Sequence, residues 1–265
     1  MSHTPSAPSA GTQPTVVEKV FDFVDERVGL KLLAAKMLNE SVPGGSRWAY
    51  VFGSVLLFIF IMQAVTGVLL MFYYVPTADH AYASTQYILH DVDYGWFLLS
   101  YHFWGSSAMV LCVFAHMSQV FLWGAYKKPR ELIWLVGLLL FALVMGFGFT
   151  GYLLPWDQRA YWATTVGVEI VDKMPVLGDF LARFLKGGPT PGQMPLSRFF
   201  VIHVMVLPAA LIALAGLHLF LFRCAGPAGP FRGAPAELKA KTDYFFPRQI
   251  WKDVVGMAVV FACIS

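Results

Sequence analysis

Charged residues are scarce in this chain. Asp, Glu, Lys and Arg make up 13% of its 265 residues, about half the share usual in a soluble domain, so a soluble globule is excluded. Cysteine is sparse too. Cys112, Cys224 and Cys263 form neither a Cys-x-x-Cys-His haem-attachment motif nor a metal-binding spacing, and they read as structural thiols. The formal net charge of +3 gives no reason to expect a nucleic-acid partner. Between Val75 and Tyr94, Asp79, Asp91 and Asp93 occur without any Lys or Arg. The opening Met1–Pro14 lacks the apolar core of a signal peptide. Its richness in Ser, Thr, Ala and Pro predicts a mobile tail.

What the chain has in abundance is apolar side chain, 57% of the total. Long apolar stretches run from Trp48 to Tyr74, Gly95 to Trp123, Leu132 to Leu154 and Phe199 to Phe222, each long enough for the roughly 20 residues a bilayer crossing needs. A fifth stretch, Val254 to Ser265, is too short to span and reads as the start of another helix. A chain continuation or a partner subunit is expected to follow it. Ahead of the first span, Val16, Val17, Val20, Phe21, Val24, Val28, Leu32 and Leu33 recur at helical spacing among charged residues, the pattern of an amphipathic helix at the membrane surface. A helix packed on a soluble partner would show the same pattern. The expected organisation is thus a tail (1–14), a surface helix (15–40), a four-helix membrane bundle (41–226), and a linker with the start of a fifth helix (227–265).

Two histidine pairs sit inside these apolar stretches: His102 with His116 and His203 with His218. A separation of fourteen turns a helical side chain to within roughly 40° of its starting direction and moves it about 21 Å along the axis; a separation of fifteen overshoots by about 60°. Each pair therefore looks to one side of its helix, with its members near opposite faces of a core about 30 Å thick. Facing each other, two such helices offer two bis-imidazole sites suited to haem iron. A lone histidine at membrane depth is more often a hydrogen-bonded packing residue, but four at matched spacing point to ligands. His3, His80 and His90 lie in polar or connecting sequence and read as surface residues.

Orientation follows from basic residues, which stay on the negative side of the membrane. Lys127, Lys128 and Arg130 follow the second span, and Arg223 and Arg232 follow the fourth, whereas the loop after the first span has none. The amino terminus is therefore expected on the negative side. His102 pairs with His203 near the positive side, and His116 with His218 near the negative side. The helices without histidine repeat the period with glycines, Gly53 with Gly67 and Gly137 with Gly151, where the missing side chain leaves room for a flat group between helices. The third span ends in Gly151-Tyr152-Leu153-Leu154-Pro155-Trp156-Asp157-Gln158; Pro155 stops the helix and Tyr152 and Trp156 are placed as interfacial aromatics.

These paired histidines and glycines, with the Tyr126-Lys127-Lys128-Pro129-Arg130-Glu131-Leu132 turn and the Gly151–Gln158 turn, resemble the cytochrome b family of quinol-oxidising cytochrome bc complexes. The likeness runs from about Val16 to Gly226 and is strongest to the split form of plastid and cyanobacterial complexes, which shares the fourteen and fifteen spacings. It implies an all-α membrane protein: a four-helix dihaem bundle with an amphipathic surface helix and the start of a fifth helix. Two non-covalent haems b would be held by His102 with His203 and by His116 with His218. Electrons would pass from a positive-side quinol site, partly walled by Tyr152, Pro155 and Trp156, to a negative-side quinone site matching Arg223, Lys252 and Asp253. The family implies a Rieske iron-sulfur protein, a c-type cytochrome subunit, a homodimeric complex, proton translocation and a respiratory role. A bacterial inner membrane is the expected location, as no transit peptide is seen.

The chain departs from the pattern in places. Members usually carry arginines for the haem propionates where Leu99 and Gln119 stand here, and the split form has another at Phe103. Val51 stands where the split form has the cysteine of a covalent third haem, so none is expected. Glu237–Asp253 reads more like the fused form's link into a fifth helix. The family's Pro-Glu-Trp-Tyr motif is missing from these residues and would come from a further subunit or continuation, so the chain alone should not turn over quinol. Two other readings stay open: a dihaem membrane anchor of a quinone-linked dehydrogenase or hydrogenase, and a transporter with buried histidines as proton relays.

Overall fold

The computed structural model describes residues 15–188, 191–231 and 233–265; the expected tail 1–14, Arg232 and the side chain of Leu33 lie outside the described residues. Helix α1 (Val16–Val28) starts at a reciprocal cap, in which Thr15 Oγ1 accepts from the Glu18 amide at 3.3 Å and the Glu18 carboxylate accepts from the Thr15 amide at 2.7 Å. Gly29, in the left-handed region at φ 68°, ends it and opens α2 (Leu30–Leu38). The single surface helix expected here is therefore two, because Gly29 bends the chain where no other residue would do so without strain. None of the residues of α1 is buried, and Val16, Val17 and Val20 stand open.

A short strand β1 (Ser41–Pro43) leads to the first long helix, α3 (Phe52–Met71). After α4 (Ala81–His90) come α5 (Gly95–Trp123) and α6 (Glu131–Leu153), then a hairpin of α7 (Gln158–Asp172) and α8 (Gly178–Lys186) that the sequence pattern had not revealed. Then α9 (Gln193–Val201) continues through a π-helical turn at Ile202–Val206 into α10 (Leu207–Ala225). A short α11 (Ala236–Ala240), strand β2 (Thr242–Tyr244) and α12 (Ile250–Ile264) complete the order. Among the described residues, α3, α5, α6 and the run Gln193–Ala225 are long and apolar enough to cross a membrane. Most of their apolar side chains face outward, as lipid-facing helices require.

The wide turn has a cause in the sequence. Pro208 has no N–H for the Val204 carbonyl, and its ring clashes with a carbonyl four residues back. The helix relaxes by one extra residue, with the Leu207 amide bonding the Ile202 carbonyl five residues earlier. That extra residue absorbs the fifteen between His203 and His218, which then share a face as His102 and His116 do in unbroken α5.

The bundle is two packed pairs, α3 with α5 and α6 with α10; α5 and the fourth span, which carry the histidines, do not pack closely on each other. Val51, Val55 and Ile59 form a buried cluster with Phe58, Met62, Met109 and Cys112. Against it lies α12, where a Cβ at Gly256 would sit 3.3 Å from Val55 and 3.5 Å from Val51. The strands pair antiparallel, Ser41 opposite Tyr244 and Pro43 opposite Thr242. They tie the surface segment to the start of α12, a non-local contact that no local pattern announced.

Candidate haem-binding sites

His102 from α5 and His203 from the wide turn face each other with ring centroids 6.3 Å apart and planes at 71°. Each rests on a glycine of its packing partner. A Cβ at Gly67 would lie 3.2 Å from His102 Cε1, and one at Gly151 2.7 Å from His203 Cε1. Beside each glycine a threonine holds the ring: Thr66 Oγ1 is 2.9 Å from His102 Nδ1, and Thr150 Oγ1 2.9 Å from His203 Nδ1. Thr66 and Thr150 belong to the candidate site by this contact, and sequence reading missed them. The signal was present as one dipeptide, Thr-Gly, at matching places in α3 and α6.

At the other depth His116 and His218 lie within electrostatic reach of each other. Their glycines match the pattern, since a Cβ at Gly53 would be 4.0 Å from His116 Cε1 and one at Gly137 3.4 Å from His218 Cε1. Here Phe52 and Val136 precede the glycines, and among the described residues no hydroxyl bonds the Nδ1 of either ring. The buried Nδ1 atoms of both histidines have no hydrogen-bond partner by distance and angle, and the backbone carbonyl of Ile133 is the polar group nearest in effect to His218.

These residues fit two haems. A span of 6.3 Å between ring centres leaves room for two metal–imidazole bonds of about 2 Å each. The histidine helices stand apart, the glycines keep both walls flat, and all four imidazoles are half-buried. A buried imidazole nitrogen with no protein partner at membrane depth is costly unless something else binds it or its ring.

The Cytochrome b/b6/petB family model matches residues 37–226. The chain belongs to the cytochrome b/b6 family. It is 40% identical over 223 residues to the menaquinol:cytochrome c reductase cytochrome b subunit of Geobacillus thermodenitrificans, covering 81% of this chain and 100% of that one. It is 39% identical over 214 residues to cytochrome b6 of Synechococcus elongatus, again covering 81% and 100%. A solved structure titled "Hyperthermophilic respiratory Complex III" superposes with a TM-score of 0.79 at 29% identity over 92% of this chain, which spans 65% of that chain's length. The all-α membrane architecture expected from the sequence is thus that of the cytochrome b family, with the small β1–β2 pair as an addition.

The remaining site residues are distributed unevenly. Tyr152, next to Gly151, is exposed at the end of α6. Trp156 takes a left-handed backbone at φ 52° and packs edge-on against Tyr161 at 6.4 Å. The turn between them is pinned by Tyr74, whose hydroxyl donates to the Leu154 carbonyl at 2.6 Å. Pro155 sits in that turn, half-buried. At the opposite end Arg223 forms an ion pair with Glu40. Lys252 Nζ donates to the Ser46 carbonyl at 2.8 Å and lines an open cleft of about 410 Å³ with Lys241, Arg248 and Trp251. Asp253 is buried and accepts from Gln249 at 2.9 Å. Lys252 and Asp253 therefore sit together while Arg223 is engaged elsewhere, with no hydrogen bond or ion pair linking it to them among the described residues.

Proposed function

We propose that this chain is the dihaem cytochrome b subunit of a quinol:cytochrome c oxidoreductase, or of a complex with a similar acceptor. Electrons from quinol at the positive side would cross through two b haems to a quinone at the negative side. The observation that carries this is the two histidine pairs between α5 and the fourth span, one with its rings facing at 6.3 Å, each backed by two glycines. His102 and His203 would ligate one haem, and His116 and His218 the other. Haem supplies reversible one-electron storage when bound. The protein's part is to hold each imidazole in place, to keep the walls flat at Gly53, Gly67, Gly137 and Gly151, and to exclude water.

On the positive side, Tyr152, Pro155 and Trp156 would wall the quinol pocket, supported by their place beside Gly151. On the negative side, the cleft at Lys252 supports a quinone site, with Asp253 buried next in sequence behind it; Arg223 would contribute only through its bond to Glu40. A Rieske iron-sulfur protein and a c-type cytochrome subunit would receive the other electron in a homodimeric complex. The remaining cytochrome b helices, with the Pro-Glu-Trp-Tyr motif, would come from another subunit or a continuation. The bacterial inner membrane with the amino terminus on the cytoplasmic side is the location this reading requires, and Val51 predicts no covalent haem.

The test is a reduced-minus-oxidised spectrum of the intact complex with pyridine haemochrome quantitation per copy of this chain. Two non-covalent haems b are expected, with His102→Ala and His218→Ala each losing one. Wild-type complex without haem b would end this reading.

A further inference from the structure

We infer that Thr66 and Thr150 are positioning residues that make the two haem sites electronically unequal; the inference rests on the haem reading above. A histidine that gives the Nε2 lone pair to iron carries its proton on Nδ1, and that proton needs an acceptor. Each threonine hydroxyl has one proton, and its own helix takes it. Thr66 donates to the Met62 carbonyl at 2.9 Å, and Thr150 to the Gly146 carbonyl at 2.8 Å. The oxygen is left to accept from His102 Nδ1 or His203 Nδ1, both at 2.9 Å. Thr66 and Thr150 are themselves buried at 6% and 5% exposure, so no water competes for the bond.

At His116 and His218 no hydroxyl takes that place among the described residues. Nδ1 is buried and unpartnered on both, and Phe52 and Val136 occupy the places of the threonines. A hydrogen bond from Nδ1 raises the basicity of the imidazole and favours the ferric form. The two hydroxyls therefore favour the ferric form at the His102–His203 site and contribute to any step between the sites. They also fix ring orientation, because a ring tied at Nδ1 cannot turn about its Cβ–Cγ bond.

The experiment uses the intact complex and compares Thr66→Val, Thr66→Ser and Val136→Thr by potentiometric titration of both haems and by low-temperature electron paramagnetic resonance of the ferric state. Thr66→Val should make one haem, and only one, about tenfold easier to reduce, an upward shift of about 59 mV for one electron. The resonance of that haem alone should move, and Thr66→Ser should restore both readouts. Val136→Thr places a hydroxyl beside His218 and should shift the other haem downward. Loss of one haem in Thr66→Val, recovered in Thr66→Ser, would also support the role. Two haems with unchanged potentials in Thr66→Val and Val136→Thr would overturn the inference while leaving the dihaem reading intact. Wild-type complex without two haems would overturn that reading instead.

Discussion

The two histidine helices reach the same result by different routes. In α5 the histidines are fourteen apart along an unbroken helix. In the fourth span they are fifteen apart, and the π-helical turn at Ile202–Val206 removes the surplus residue from the helical count. Spacing in sequence equals spacing in space only where the hydrogen-bond ladder is regular. A second difference runs alongside the first. At both depths the histidine of the fourth span lies closer to its glycine than the histidine of α5 does, 2.7 against 3.2 Å and 3.4 against 4.0 Å from the added Cβ.

The largest effect should come from the same deletion made in each helix. Removing Val110 from α5 leaves its histidines thirteen apart and turns His102 away from His203 by about 100°. Complexes carrying that deletion should lose at least one haem. Removing Met205 together with Pro208→Ala takes the extra residue out of the wide turn and restores the missing N–H, so a regular helix with its histidines fourteen apart results. Haemochrome quantitation should still give two haems. Equal loss from both deletions would mean that the wide turn has a role other than restoring phase.

Adding a methyl group to the four glycines should grade the damage. Gly151→Ala forces His203 to move, Gly67→Ala and Gly137→Ala require a few tenths of an ångström, and Gly53→Ala is ordinary contact. Overpacking of this kind costs about 1–3 kcal/mol where the neighbour cannot give. Haem retention on heating should fall in the order Gly53→Ala, Gly137→Ala, Gly67→Ala, Gly151→Ala. A reversed order would show that the fourth-span histidines are the looser pair.

The helix ends differ as well. The end of α5 is closed by Gly124 at φ 67°, whereas the end of α10 is held from outside, with Arg130 donating to the carbonyls of Ala225, Gly226 and Pro227 at 3.2–3.3 Å. Arg130→Leu keeps the apolar stem and removes the donors. It should loosen the α10 end by about 1–3 kcal/mol, read as faster amide exchange after Phe222, with exchange at the end of α5 unchanged.

Much of this was legible in the sequence, and the reasons are specific. Apolar runs and fixed periods are local properties, so the spans, the histidine pairs and the glycines that back them could be read directly. The wide turn was written only as Pro208 five residues after His203, and a proline in a membrane helix has several outcomes. Thr66 and Thr150 were hidden because a helical threonine usually bonds only its own preceding turn, which both also do. The α7–α8 hairpin is amphipathic and short, with Ala160, Thr164 and Val168 as its buried stripe, and lacks a membrane-length signal. Strands β1 and β2 join residues some two hundred positions apart, and a three-residue strand has no period to detect.

The smallest effect lies beyond α10. Past α10 the chain returns through β2 to β1, and Asp243 closes that return. Its carboxylate accepts from the Ser46 amide at 3.0 Å and pairs with Arg248 at 2.7 Å. The Ser46 amide bond, and after it the charge of Arg248, hold the Asp243 carboxyl below its ordinary value of 3.8. A carboxyl depressed in the folded state contributes stability above its unfolded value, and that contribution disappears as pH falls through the folded value. Asp243→Asn should therefore lower the unfolding temperature slightly at neutral pH, and the gap to wild type should close as pH falls from 3.8 downward. A gap that stayed constant with pH would assign the effect of the substitution to lost packing at the β1–β2 pair rather than to the charge that closes it.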